Sequence, residues 1–68
     1  MTIAQLKYIL EIAKTSSINK AAQNLFIPHS ALSNAIQNLE RELGNEIFIR
    51  TPKGVKLTPF GHRVVAYL

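Results

Sequence analysis

Cysteine, aspartate and tryptophan are absent from this chain of 68 residues. Without cysteine there is no disulfide to staple the fold and no thiolate to build a zinc site, and a reducing compartment is compatible. Long apolar runs are also missing. Gln5, Lys7 and Glu11 interrupt the N-terminal apolar stretch, which excludes a signal-peptide core, and no run reaches the ~20 residues needed to span a bilayer. These absences point to a soluble, cytoplasmic protein with no membrane partner. Acidic residues are scarce by region: none lies between Glu11 and Glu40, and none follows Glu46.

With 47% hydrophobic and 18% charged residues, the chain has a globular composition. Its length allows one domain near the lower limit of independent folding, so any core must be compact. The net charge of +4 is unevenly placed. Up to residue 49, Lys7, Lys14, Lys20 and Arg41 are balanced by Glu11, Glu40, Glu42 and Glu46. The excess therefore resides in Arg50, Lys53, Lys56 and Arg63, where a polyanion meets no carboxylate.

Thr2 followed by Gln5 matches a capping box, and Ile3, Leu6, Leu10 and Ala13 recur at helical spacing, predicting a first helix over 3–14 with that stripe inward. Tyr8 and Ile12 then fall on another side and are available to a second packing partner. Ser17 is placed to cap a short helix over 18–25 whose inner face is Ile18, Ala21, Ala22 and Leu25. Pro28 sets the start of a third helix that runs to Leu43 and closes on Gly44, with Leu32, Ile36, Leu39 and Leu43 buried. The β-prone segments "EIFIR" and "VKL" flank the turn "TPKG", giving a small hairpin. Thr58 and Pro59 begin a fourth helix carrying Phe60, Val64 and Leu68 on one side.

Two short helices joined by "FIP", the second longer and polar outside, form a helix-turn-helix. In that motif the start of the second helix enters the major groove, where uncharged hydrogen-bonding side chains discriminate base edges. Ser30, Ser33, Asn34 and Gln37 lie opposite the leucine stripe, with His29 at its edge, and no charge interrupts that face before Glu40. A plain solvent face would favour Glu, Lys and Arg, which form helices more readily than Ser or Asn. Arg50, Lys53 and Lys56 in and beside the turn suit phosphates or a minor groove, and Ser17, Lys20 and the free N–H groups opening the second helix offer a further phosphate contact.

Catalysis and metal binding fit poorly. His29 and Ser33 are spaced i, i+4, but no Asp exists to orient the histidine and no glycine-rich loop flanks the serine. His29 and His62 alone are no ligand set, so neither an enzyme nor a cofactor site is expected. The competing expectation is a module of the same fold that docks on another protein.

The segments "QLKY" at 5–8, "SINKAAQNL" at 17–25, "ALSNAIQNLERELG" at 31–44, "IFIR" at 47–50 and "LTPFG" at 57–61 resemble the N-terminal domain of LysR-type bacterial transcriptional regulators over nearly the whole chain. The resemblance implies a mainly α winged helix-turn-helix over 1–58, with a three-helix core and a small two-stranded β wing, and the start of a linker and dimerisation helix over 59–68. It implies base contacts from His29, Ser30 and Ser33, with Asn34 and Gln37 nearby, and a wing pair of Arg50 and Lys53. It further implies a homodimer or higher homo-oligomer, joined through Tyr8, Ile12, Phe60, Val64 and Leu68, on an interrupted inverted repeat of double-stranded DNA. A small-molecule effector would act through a C-terminal domain that this sequence, ending inside the fourth helix, does not contain. The departures are Pro28 in place of a hydroxyl residue, His29 in place of Gln, Lys53 in place of Arg and Phe60 in place of Ala.

Overall fold

A computed structural model describes residues Met1–Tyr67. Helix α1 spans Ile3–Thr15. It opens with the full capping box: Gln5 N–H donates to Thr2 Oγ1 at 3.1 Å, and Thr2 N–H donates to Gln5 Oε1 at 2.9 Å. Ser16, in the left-handed conformation at φ +56°, ends it. Helix α2 spans Ile18–Leu25 under an N-cap from Ser17 and stops at Phe26, also left-handed at φ +59° and 94% exposed. A bulky side chain in that region costs about 1–2 kcal/mol, so the tight turn before the next helix is held against local strain.

Helix α3 covers His29–Leu43, with Pro28 in the N-cap position and no side-chain cap bond, and Gly44 at φ +72° closes it. Strands β1 (Phe48–Thr51) and β2 (Gly54–Leu57) pair antiparallel in the register Phe48↔Leu57, Ile49↔Lys56, Arg50↔Val55, Thr51↔Gly54. Helix α4, Pro59–Ala66, starts under Thr58, whose Oγ1 accepts from Gly61 N–H. This is a mainly helical winged helix-turn-helix, and Leu68 lies outside the described residues.

Ile9, Ile12, Ala21, Ala22, Leu32, Ile36, Leu39, Ile47 and Val55 form one core. Ala21 and Ala22 let α2 approach α1 and α3 closely, while Ile47 and Val55 bring the hairpin into the same cluster.

Three sequence expectations are corrected. On α1 the inward stripe is Ile9 and Ile12, with Tyr8 half-buried beside them, whereas Ile3 and Leu10 are 74% and 45% exposed. Ile12, expected at a subunit contact, has no exposed surface at all. The two apolar stripes sit side by side on the helix, and α2, α3 and β2 together select the one that meets all three. Leu43, expected in the core, is 38% exposed because it ends its helix beyond the packed turns.

Two glycines mark close approaches. A Cβ on Gly54, at φ +130°, would lie 2.4 Å from the Ser16 carbonyl oxygen, and one on Gly61 would lie 2.2 Å from the Ile47 oxygen. The first draws β2 onto the α1–α2 turn, where Val55 N–H donates to Ser16 O at 3.0 Å.

Ile12→Ala is expected to lower the unfolding free energy by about 2–4 kcal/mol, whereas Leu10→Ala should change it by less than about 1 kcal/mol. Urea unfolding of both variants followed by circular dichroism checks the assignment, and equal losses would contradict the corrected face.

Candidate nucleic-acid interface

Helix α3 meets solvent with His29, Ser30, Asn34 and Gln37, all exposed. Further along the same helix the exposed Arg41 donates to Asn38 Oδ1. Ser33 behaves differently. Its hydroxyl oxygen is buried without a hydrogen-bond partner, turned into the joint between α3 and the hairpin beside Ile36, Phe48 and Val55. The expectation that its hydroxyl faces outward is therefore corrected: Ser33 occupies the seam where the hairpin closes over the helix. It is not paired with His29 either, so the i, i+4 spacing builds no nucleophile and base.

The hairpin divides its cations between two faces. Directly opposed residues of an antiparallel pair project from the same side, so Arg50 shares the core-side face with Val55, and Lys56 shares the outer face with Ile49. Arg50 therefore leans toward the helices. Lys53 is exposed in the two-residue turn, which Thr51 braces by donating its hydroxyl to Gly54 O at 2.8 Å.

Arg50 and Lys53 meet Ser17, Asn19 and His29 around one open hollow of about 330 Å³. Three elements converge there: the first turn of α2, the first residue of α3 and the tip of the hairpin. Ser17 Oγ accepts from Lys20 N–H at 3.1 Å, so the N–H groups of Ile18 and Asn19 are the helix donors without an intrahelical acceptor. The hollow thus combines a helix N-terminus with two cations and no carboxylate, a fit for a phosphate. Lys20 and Lys56 are exposed but do not line it. Asn19 escaped the sequence analysis. Its signal was local, since it is the second helical residue after the cap Ser17, where side chain and backbone N–H point the same way as the helix dipole.

The residues assigned to subunit contact are dispersed. Tyr8, Phe60 and Val64 are half-buried and pack against the core, Ile12 belongs to it, and Leu68 lies outside the described residues. Among the described residues no group of three His, Cys, Asp or Glu side chains could hold a metal ion, and no helix is long and apolar enough to cross a membrane.

Because the Ser33 hydroxyl is buried without a partner, Ser33→Ala is expected to leave folding stability unchanged or to raise it by up to about 1 kcal/mol. Urea midpoints at constant m-value provide the check. A loss above that size would mean the hydroxyl has a partner after all.

The family model described as bacterial regulatory helix-turn-helix protein, lysR family, matches residues 3–62. The chain is 40% identical over 62 residues to the HTH-type transcriptional regulator HdfR of Yersinia pestis (strain Pestoides F), covering 91% of this chain and 21% of that protein. It is 33% identical over 67 residues to the uncharacterized HTH-type transcriptional regulator YkuM of Bacillus subtilis (strain 168), covering 98% of this chain and 23% of that one. The chain therefore spans less than a quarter of the length of either of these relatives. A crystal structure of the BenM DNA-binding domain in complex with catB site 1 DNA superposes with a TM-score of 0.92 at 40% identity, covering 98% of this chain and 75% of that one. The CbnR DNA-binding domain in its DNA complex gives 0.91 at 30% identity, over 98% and 77% of the two chains. With its winged fold and a family match over nearly its whole length, the chain belongs to the lysR family of bacterial regulatory helix-turn-helix proteins.

Proposed function

We propose that residues 1–58 bind double-stranded DNA sequence-specifically, as the N-terminal domain of a cytoplasmic transcriptional regulator, and that residues 59–68 begin the helix linking it to the rest of that regulator. Helix α3 lies in the major groove, and the wing, residues 47–57, follows the backbone or enters the minor groove. His29, Ser30, Asn34 and Gln37 read base edges, and Ser17, Lys20, Arg50, Lys53 and Lys56 hold phosphates. The observation that carries this is the open, carboxylate-free hollow where Arg50 and Lys53 meet the start of α2 beside the uncharged first turns of α3. The DNA complexes of BenM and CbnR, similar along 98% of this chain, support the same use.

The DNA site is an interrupted inverted repeat bound by a homodimer or higher homo-oligomer, with recognition helices spaced by roughly 34 Å or a multiple of one DNA turn. With Ile12 inside the core, the contact between copies falls to the exposed Ile3 and Leu10 of α1, together with the uncovered parts of Tyr8, Phe60 and Val64. Any response to a small-molecule effector resides in a C-terminal domain outside these residues. No catalytic role is assigned.

Duplex affinity is expected to fall steeply with salt, with a log–log slope made shallower by about one unit in Lys53→Ala. Asn34→Ala should instead cost about 1–3 kcal/mol on the preferred site and little on unrelated duplexes. Fluorescence anisotropy on a site selected from a random pool and on a scrambled duplex separates the two, and salt-insensitive binding would refute the assignment. Leu10→Glu should move the oligomer toward monomer in sedimentation equilibrium while leaving the thermal midpoint nearly unchanged. An unaltered mass would exclude α1 from the contact.

A further inference from the structure

Glu40 occupies the last turn of α3, half-buried, on the side facing the hairpin. Its Oε2 accepts two backbone hydrogen bonds, from Ile47 N–H at 2.7 Å and from Phe48 N–H at 3.2 Å. These are the residues through which the chain enters β1. Among the described residues, no other hydrogen bond joins an α3 side chain to the wing.

We propose that Glu40 is a positioning residue for DNA binding: its carboxylate fixes the first wing strand to the recognition helix, so that Arg50 and Lys53 reach the backbone in register with α3. The inference rests on the DNA-binding role proposed above and concerns how that site is held together.

Three features support it. A carboxylate close to a surface that faces a polyanion opposes binding, yet Glu40 is the first charge along α3; two N–H donors on one oxygen give that charge a local partner on the hairpin side. The bonds also bridge the connection from Gly44 to Ile47, which has no regular structure of its own. From Phe48 the strand runs two residues to Arg50, so the clamp sits close to the cation it would aim. The other ties of the hairpin run elsewhere, from Val55 to the α1–α2 turn and from Ile47 to Thr58, and neither reaches α3.

The test measures duplex binding against salt for wild type, Glu40→Ala, Glu40→Gln, Lys53→Ala and the double variant Glu40→Ala/Lys53→Ala. The probes are a site selected by the wild-type chain from a random pool and a scrambled duplex of equal length. Circular dichroism confirms the folded fraction of each variant. Glu40→Ala is expected to bind the selected site about tenfold more weakly with a salt slope shallower by ~1, while Glu40→Gln, which keeps an acceptor oxygen, recovers part of the loss. Lys53→Ala should then cost less in the Glu40→Ala background than in wild type, because the wing is already released. Wild-type affinity in Glu40→Ala, or a loss that adds to Lys53→Ala with the slope unchanged, would overturn the proposal. If Glu40→Ala does not fold, the same coupling is read in Glu40→Gln. Amide exchange of the DNA-free protein gives a second measure: exchange at Ile47 and Phe48 should quicken in Glu40→Ala, and unchanged exchange at both would refute the clamp whether or not DNA is bound. A wild-type chain that binds neither duplex would refute DNA binding itself, a result distinct from normal wild-type binding with an unaffected Glu40→Ala.

Discussion

An isolated two-stranded hairpin is at best marginally stable in water, so the wing of this domain exists only because the helices hold it. Val55 is one of the anchors. Its side chain enters the core, its N–H meets the Ser16 carbonyl, and the glycine before it leaves room for the approach. Ile47 performs the same service at the other strand, buried under Gly61 and accepting from Thr58 N–H. Every cation beyond that anchorage, Arg50 and Lys53 included, has a defined place relative to α2 and α3 only as long as these contacts persist.

That anchorage explains the division of labour on the surface. Over its first turns, ahead of Arg41, the outer face of α3 carries amide, hydroxyl and imidazole groups, which select partners by geometry, and mobile cations there would hold any duplex alike. Net positive charge is placed where it can act without sequence discrimination, at the wing tip and beside the first turn of α2. The pleat of the hairpin enforces a further split, turning Arg50 toward the helices and Lys56 away, so the two need not meet the same phosphate.

How much of this was legible in the sequence depends on how local the signal was. The caps at Thr2, Ser17 and Thr58, the closing Gly44 and the turn Thr51–Gly54 each involve residues within four positions, and each was readable before any tertiary contact existed. The inward face of α1 was not. Ile3, Leu6, Leu10 and Ala13 make as good a helical stripe as the one that includes Ile9 and Ile12, and only the positions of α2, α3 and β2 decide between them. Ser33 and Glu40 belong to the same class. From the helical period they are outer-face residues, but the hairpin folds over both, burying one hydroxyl and giving one carboxylate two N–H donors.

The corrected α1 face also alters how a second copy would be accommodated. At this size a domain buries a modest fraction of its surface and stays marginal, so apolar groups left outside are candidates for burial against another molecule. Had Ile12 and Tyr8 been free, a partner could have packed on the middle of α1 at the expense of the core. With Ile12 inside, Ile3 and Leu10 remain on a different flank, where a partner adds contacts without competing for any made by α2, α3 or the wing. Assembly on that flank would leave the hollow between Ser17, His29 and Lys53 open, because none of its lining residues comes from α1.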